Sequence, residues 1–330
     1  MNIKDILITG KANLQAYCDT LLELAADDPN IIAVTSDSRE SGKLTPFADK
    51  YPNQIVEVGI AEQNLVGVSA GLASTGKKVF TTSPGCFLAT RSLEQVKNDV
   101  AYSDYPVNLI GISAGVSYGA LGSTHHSLHD VAALRAINNM TIVVPADNFE
   151  TKEAIKAAAV SPKPFYIKIG KKNMPHLHAE NETFIIGKAS TILEGADVAF
   201  IACGETVYPT VEAAQLLNKE GISARVISMH TIKPLDADVI IKAAKECKAF
   251  ISVEEHSING GLGEACASVI LEAGLSVPFK RMGIPDEETV AGSQTEILEH
   301  YGISASGLSD EAKRLIKQLK HLTNEKYELK

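Results

Sequence analysis

The chain has 330 residues, 45% of them hydrophobic and 22% charged, with a net charge of −9. Its length points to two domains and its composition to a globular chain, while the acidic balance argues against a general nucleic-acid binder. No stretch reaches the ~18 apolar residues of a membrane span, and the opening MNIKDILITG lacks a signal-peptide core. Five cysteines (Cys18, Cys86, Cys203, Cys247, Cys266) form no C-x-x-C pair, so reduced thiols and a cytoplasmic location are expected.

In chain order, short apolar strands alternate with amphipathic helices, the α/β signature. A helix over 12–26 leads to the strand IIAVTSD. The stretch IVEVGIAEQN (55–64) then carries an alternating apolar pattern (Ile55, Val56, Val58, Ile60) into a carboxylate, Glu62. A helix expected over 61–75 continues with small and apolar residues. An unpaired buried carboxylate is costly, so Glu62 is expected to be paired, protonated or held for chemistry. The strand KKVFTT, a helix over 86–103 and the strand PVNLIGIS follow, then a helix over 127–137, the strand TIVVPAD, a helix over 148–159 and the strand PFYIKIG.

The pattern breaks at the polar stretch 171–190, read as a linker between a first domain (1–170) and a second (191–330). A second cycle runs through DVAFIACG, a helix over 206–220, ARVISM, a helix over 236–247, AFISVEE, a helix over 262–274 and PFKRMG. Two doubly wound domains are expected. Ligands of such sheets sit at the carboxyl ends of the strands, where Glu62, Ser113 and Cys203-Gly204 fall.

GISAG (111–115) fits a nucleophile elbow at Ser113, but the glycine-rich VSYGALGST after it is unfit for the helix an elbow needs. GSTHHSLHD (122–130) holds His125, His126, His129 and Asp130; on a helix, His125 and His129 would share a metal-binding face. A helix start capped by Thr124 or Ser127, or a glycine-rich loop bonding a polar ligand, are the other readings. NGGLGEA (259–265) resembles a phosphate-cradling turn, although most such turns only start a helix, and EEH (254–256) reads as structural. No P-loop and no Rossmann G-x-G-x-x-G is present.

In their order, VGIAEQNLVGVSAGLA, FLATRSLEQVKND, LGSTHHSLHD, MTIVVPAD, ARVISMHTIKPLD and EEHSINGGLGEA resemble the C-terminal half of a transketolase over about residues 30–270. The resemblance implies a pyrimidine-binding (Pyr) domain followed by a transketolase C-terminal domain. It also implies thiamine diphosphate and Mg²⁺ as cofactors, held in the family by a domain with a G-D-G…N motif. This chain has no G-D-G, so it is similar to the second subunit of a split transketolase, with an N-terminal partner subunit in an α₂β₂ assembly. By the same resemblance, Glu62 hydrogen-bonds N1′ of the aminopyrimidine and promotes loss of the thiazolium C2 proton. Phe87 stacks on the pyrimidine and Ile60 joins them at the cofactor, while two further family aromatics are replaced by Thr90 and Leu93. His125 matches the histidine that contacts the donor's hydroxyls, and Lys171 a position that binds the terminal phosphate. Arg39 is a further anion-binding candidate. The β subunit of a 2-oxo acid dehydrogenase, deoxyxylulose-phosphate synthase and a non-catalytic scaffold subunit share the same plan.

Departures from the family bear on substrate. Transketolases read D-G-x-T-H-Q where this chain reads Leu121-Gly122-Ser123-Thr124-His125-His126; the family aspartate at Leu121 accepts a sugar hydroxyl. A family histidine is Ser113 here, and an arginine is Lys171. The expected ketose therefore lacks, relocates or branches at that hydroxyl: a branched or modified sugar phosphate, or a sulfonated sugar read partly by Arg39. His126 and Tyr118 are neighbours able to supply lost contacts to an ordinary one.

Overall fold

A computed structural model describes residues 9–179 and 182–328. The first half contributes strands β1 (Thr9–Ala12), β2 (Ile31–Thr35), β3 (Ile55–Glu57), β4 (Lys78–Pro84), β5 (Val107–Ile112), β6 (Thr141–Val143), β7 (Phe165–Ile169) and β8 (Asn173–Pro175). Its helices are α1 (Asn13–Asp27), α2 (Thr45–Lys50), α3 (Glu62–Ser74), α4 (Gly85–Thr90), α5 (Leu93–Gln95), α6 (Asp130–Arg135) and α7 (Asn148–Val160). The second half adds β9 (Ser190–Leu193), β10 (Val198–Ala202), β11 (Ala224–Ser228), β12 (Thr231–Lys233), β13 (Ala249–Ser257) and β14 (Phe279–Ile284). With them come α8 (Val207–Lys219), α9 (Ala237–Glu246), α10 (Leu262–Glu272), α11 (Gln294–His300) and α12 (Ala305–Glu328).

The fold is α/β with two doubly wound sheets. Six parallel strands in the order β6-β7-β5-β4-β2-β3 make the first, and every residue of β2, β5 and β7 is buried, as expected where helices cover both faces. A seventh strand, β12, reaches across from the second half and pairs antiparallel with β6 (Thr231 opposite Val143). The second sheet runs β14-β13-β10-β11-β9, antiparallel only at β9. One apolar cluster continues across both sheets, from Leu65, Leu88 and Leu134 through Ile142 and Val144 to Ile201, Ile232 and Leu262.

Several elements depart from the periodicity. The helix expected over 86–103 is broken at Arg91-Ser92 and ends as a π-helix, Val96–Tyr102. There Thr90 and Ser92 turn their hydroxyls back onto the Cys86 and Leu88 carbonyls (2.5 and 2.6 Å), a bond that competes with a regular helix. The helix expected from 127 begins at Asp130, because Ser127 is bridged to Gly115. The strand TIVVPAD stops at Val143, where the Val144 N–H turns to the His230 carbonyl. Part of 171–190 is ordered as β8 on β1, and Ser190 already begins β9.

Within that stretch, His178 sits between Asp147 (3.1 Å) and Glu150 (3.2 Å), all three side chains buried. Burial disfavours the imidazolium, but the two carboxylates outweigh it and push His178 up from 6.5 to about 9. A raised folded-state value means that this contribution to stability is complete below 6.5 and is lost as pH rises through about 9. His178→Gln should therefore flatten the fall in melting temperature across that window. Parallel wild-type and variant curves of Tm against pH would contradict the assignment.

Candidate functional site

The carboxyl ends of β3, β4, β5 and β7 each deliver one part of a single surface. After β3, Gly59 (φ +73°) turns the chain and Ala61 leads into α3, which places Glu62 in the first helical turn. After β4, α4 carries Phe87 and ends at Arg91. After β5, Ser113 adopts φ +60° and opens the loop that holds Tyr118, Leu121 and His125. After β7 comes Lys171.

These side chains touch in sequence. The Glu62 carboxylate, 2% exposed, accepts from Arg91 Nη1 at 2.6 Å. The Arg91 guanidinium lies 4.5 Å from the centre of the Phe87 ring. Phe87 meets the His125 ring edge-on at 5.3 Å, and His125 meets Tyr118 in the same way at 5.4 Å. The Lys171 ammonium is seated 3.9 Å over the Tyr118 ring. The surface thus runs from a carboxylate at one end to an ammonium at the other. Burial, with Lys43 nearby, lowers the pKa of Lys171. Among the described residues no carboxylate pairs with it, so an anion has a place there. His125 meets the Thr124 hydroxyl through Nδ1 (2.9 Å), which presents Nε2 outward.

The remaining expected residues are distributed less evenly. Ile60 (74% exposed) and Leu121 (57% exposed) stand open to solvent, two residues before Glu62 and three after Tyr118 in the chain. Arg39 is exposed on its own loop, and no side-chain contact joins it to the line among the described residues. His126 is buried with both ring nitrogens engaged, by the Gly119 carbonyl (3.0 Å) and Thr289 Oγ1 (2.8 Å). It braces the loop from below and has no nitrogen left for a sugar. Ser113 is fully buried, beyond the reach of a ligand, and a 3₁₀ turn follows where an elbow needs a helix. His125 and His129 share no helical face, since the helix begins only at Asp130.

Beneath the loop, buried Lys168 donates to Asp130 (2.9 Å), to the Ser127 carbonyl (2.9 Å) and to the Glu255 carbonyl (3.3 Å). Against its burial, Lys168 holds Asp130 down to about 2. Glu255 accepts from the Val116 N–H (2.7 Å) and from Gln294, which also donates to Glu205 (2.8 Å). Burial and the facing Glu205 carboxylate push Glu255 up to about 8. The turn NGGLGEA is already filled: Glu254 takes the N–H groups of Leu262 (2.7 Å) and Gly263 (2.8 Å), so EEH is structural and no phosphate cradle is open there. Arg91 is the participant that sequence reasoning passed over. Its signal was present, since a buried carboxylate needs a cation and Arg91 stands one helical turn after Phe87.

Comparison with known proteins adds the family. The model of the transketolase pyrimidine-binding domain matches residues 10–176, and that of the transketolase C-terminal domain residues 187–308. The chain is 48% identical over 305 residues to an apulose-4-phosphate transketolase subunit from Phocaeicola vulgatus, covering 92% of this chain and 97% of that one. It is 40% identical over 282 residues to the protein of the same name from Actinobacillus succinogenes, covering 85% and 91%. Among solved structures it resembles a split-gene transketolase described as an inactive β4 tetramer, with a TM-score of 0.84 and 33% identity over 93% of this chain and 99% of that one.

Proposed function

The chain belongs to the transketolase family, and from that premise we propose that it forms the pyrimidine- and sugar-binding side of a two-subunit transketolase. The observation that carries this is the unbroken line of contacts from Glu62 to Lys171. When bound, thiamine diphosphate supplies the nucleophilic carbon that takes up a two-carbon ketol unit. The residues present fit its pyrimidine end. Glu62 Oε2 is held by Arg91, which leaves Oε1 to share a proton with a ring nitrogen; Phe87 offers a face and Ile60 an apolar edge. His125 Nε2 is set to bond the donor's hydroxyls, and Lys171 to hold its phosphate.

The diphosphate end finds no such fit among the described residues. The chain has no G-D-G, and among the described residues no three His, Cys, Asp or Glu side chains gather to hold a metal. We therefore assign the diphosphate and Mg²⁺ mainly to an N-terminal partner subunit with the G-D-G…N motif, in a cytoplasmic α₂β₂ assembly. The relatives named above are transketolase subunits, which favours this reading over a dehydrogenase subunit.

For the donor we propose a ketose carrying its phosphate on carbon 4, as in the name shared by the two relatives, with an aldose phosphate as acceptor. Leu121 supports this, because it puts an aliphatic side chain where an ordinary transketolase accepts a sugar hydroxyl. A hydroxyl left unpaired there costs roughly 1–3 kcal/mol. The test is an assay of the co-expressed complex with apulose 4-phosphate and with xylulose 5-phosphate plus ribose 5-phosphate. Wild type should prefer the first donor, and Leu121→Asp should improve use of the second roughly tenfold. Efficient turnover of xylulose 5-phosphate by wild type, with no gain in Leu121→Asp, would refute the donor assignment.

A further inference from the structure

We propose that Tyr118 determines donor specificity by setting the distance between His125 and Lys171, and so the length of ketose phosphate the site accepts. The proposal rests on the donor reading above, in which His125 meets the sugar's first hydroxyls and Lys171 its phosphate.

Tyr118 touches both. Its ring centre is 5.4 Å from that of His125 and 3.9 Å from Lys171 Nζ, so the imidazole and the ammonium lie no more than about 9 Å apart. The two come from different strand ends, and this one ring joins them. The ring stands on a braced loop. The Val116 N–H is held by Glu255 (2.7 Å), the Gly119 N–H by the Val116 carbonyl (2.8 Å), and the Gly119 carbonyl by His126 (3.0 Å). Gly115 (φ +55°) and Gly119 (φ +53°) close around it, and a Cβ at Gly115 would collide with Glu255. Because Glu255 and Thr289 belong to the second half of the chain, that half supports the base on which Tyr118 stands.

A fixed gap discriminates by length. Each further carbon extends a sugar chain by ~1.3 Å, given C–C bonds of ~1.5 Å. Moving the phosphate from carbon 4 to carbon 6 therefore displaces it by roughly 2.5 Å, beyond the ~0.5 Å range of hydrogen-bond distances. A cation seated on an aromatic face is positioned by it, so phenylalanine should preserve the gap and an aliphatic residue should release it.

The experiment uses the assembled complex with thiamine diphosphate and Mg²⁺, wild type against Tyr118→Phe and Tyr118→Val. The donors are apulose 4-phosphate, xylulose 5-phosphate and fructose 6-phosphate. Wild type should rank them in that order of kcat/KM, with about tenfold or more between first and last, and Tyr118→Phe should keep the order. Tyr118→Val should compress the series to within about threefold, chiefly by raising KM for the 4-phosphate about tenfold while kcat stays within about threefold. Cofactor C2–H exchange, which needs no sugar, should be equal in all three and shows that each variant has assembled. A Tyr118→Val enzyme that exchanges normally and keeps the wild-type ranking overturns the inference alone. Exchange without turnover of any ketose phosphate by wild type overturns the donor reading, and the inference with it.

Discussion

Glu62→Gln slows C2–H exchange of thiamine diphosphate in the assembled enzyme by roughly 10²–10⁴-fold, the range expected when a positioned acid–base group is lost. The amide preserves volume in a site where the native side chain is 2% exposed, and its carbonyl can still accept from Arg91. What it cannot do is share a proton with a ring nitrogen. Packing and the local hydrogen bond therefore survive while the proton relay is removed, so a folding defect should not mask the result. Exchange followed by proton NMR after transfer to D₂O measures the effect directly. A rate within a few-fold of wild type would show that Glu62 is not the group at the pyrimidine.

The chain alone, at any concentration of thiamine diphosphate and Mg²⁺ used for the complex, should show no ketol transfer, and its affinity for the cofactor should be far below that of the complex. Metal–phosphate contacts dominate the binding of such cofactors. The turn NGGLGEA, shaped for a phosphate, is closed by the Glu254 carboxylate on the Leu262 and Gly263 N–H groups. Titrating in the partner subunit should restore activity to a fixed stoichiometric end point. Ketol transfer by the isolated chain would contradict the division of labour between the subunits.

The sheets were legible because fully buried parallel strands write themselves as apolar runs, such as IIAV and LIGI, separated by amphipathic helices. Glu62 was legible for the opposite reason, as a charge in a stretch that must be buried. What periodicity could not convey was partnership. Nothing in the dipeptide His125-His126 says which ring faces outward, because that depends on Thr289, far along the chain. A glycine-rich turn before a helix looks the same whether it awaits a phosphate or already holds Glu254. Helix 86–103 carries a good apolar period, and the break at Arg91-Ser92 follows from hydroxyl back-bonding that a period does not register. β12 has only three residues, too few to show a period, and its partner β6 lies some ninety residues earlier.

That short strand also decides where the chain can be divided. β12 closes the β6 edge of the first sheet with a segment that the sequence places in the other lobe, and its antiparallel direction ends the run of parallel pairing. An uncovered strand edge is a template for intermolecular pairing. A first lobe cut off anywhere before Thr231 would bare β6 together with the apolar surface of Val144 that now packs against the second lobe. The two lobes are therefore tied by this strand pairing as well as by the covalent linker. A first lobe expressed alone would offer that edge to other chains, where the intact protein covers it, so the two sheets are best handled as a single piece.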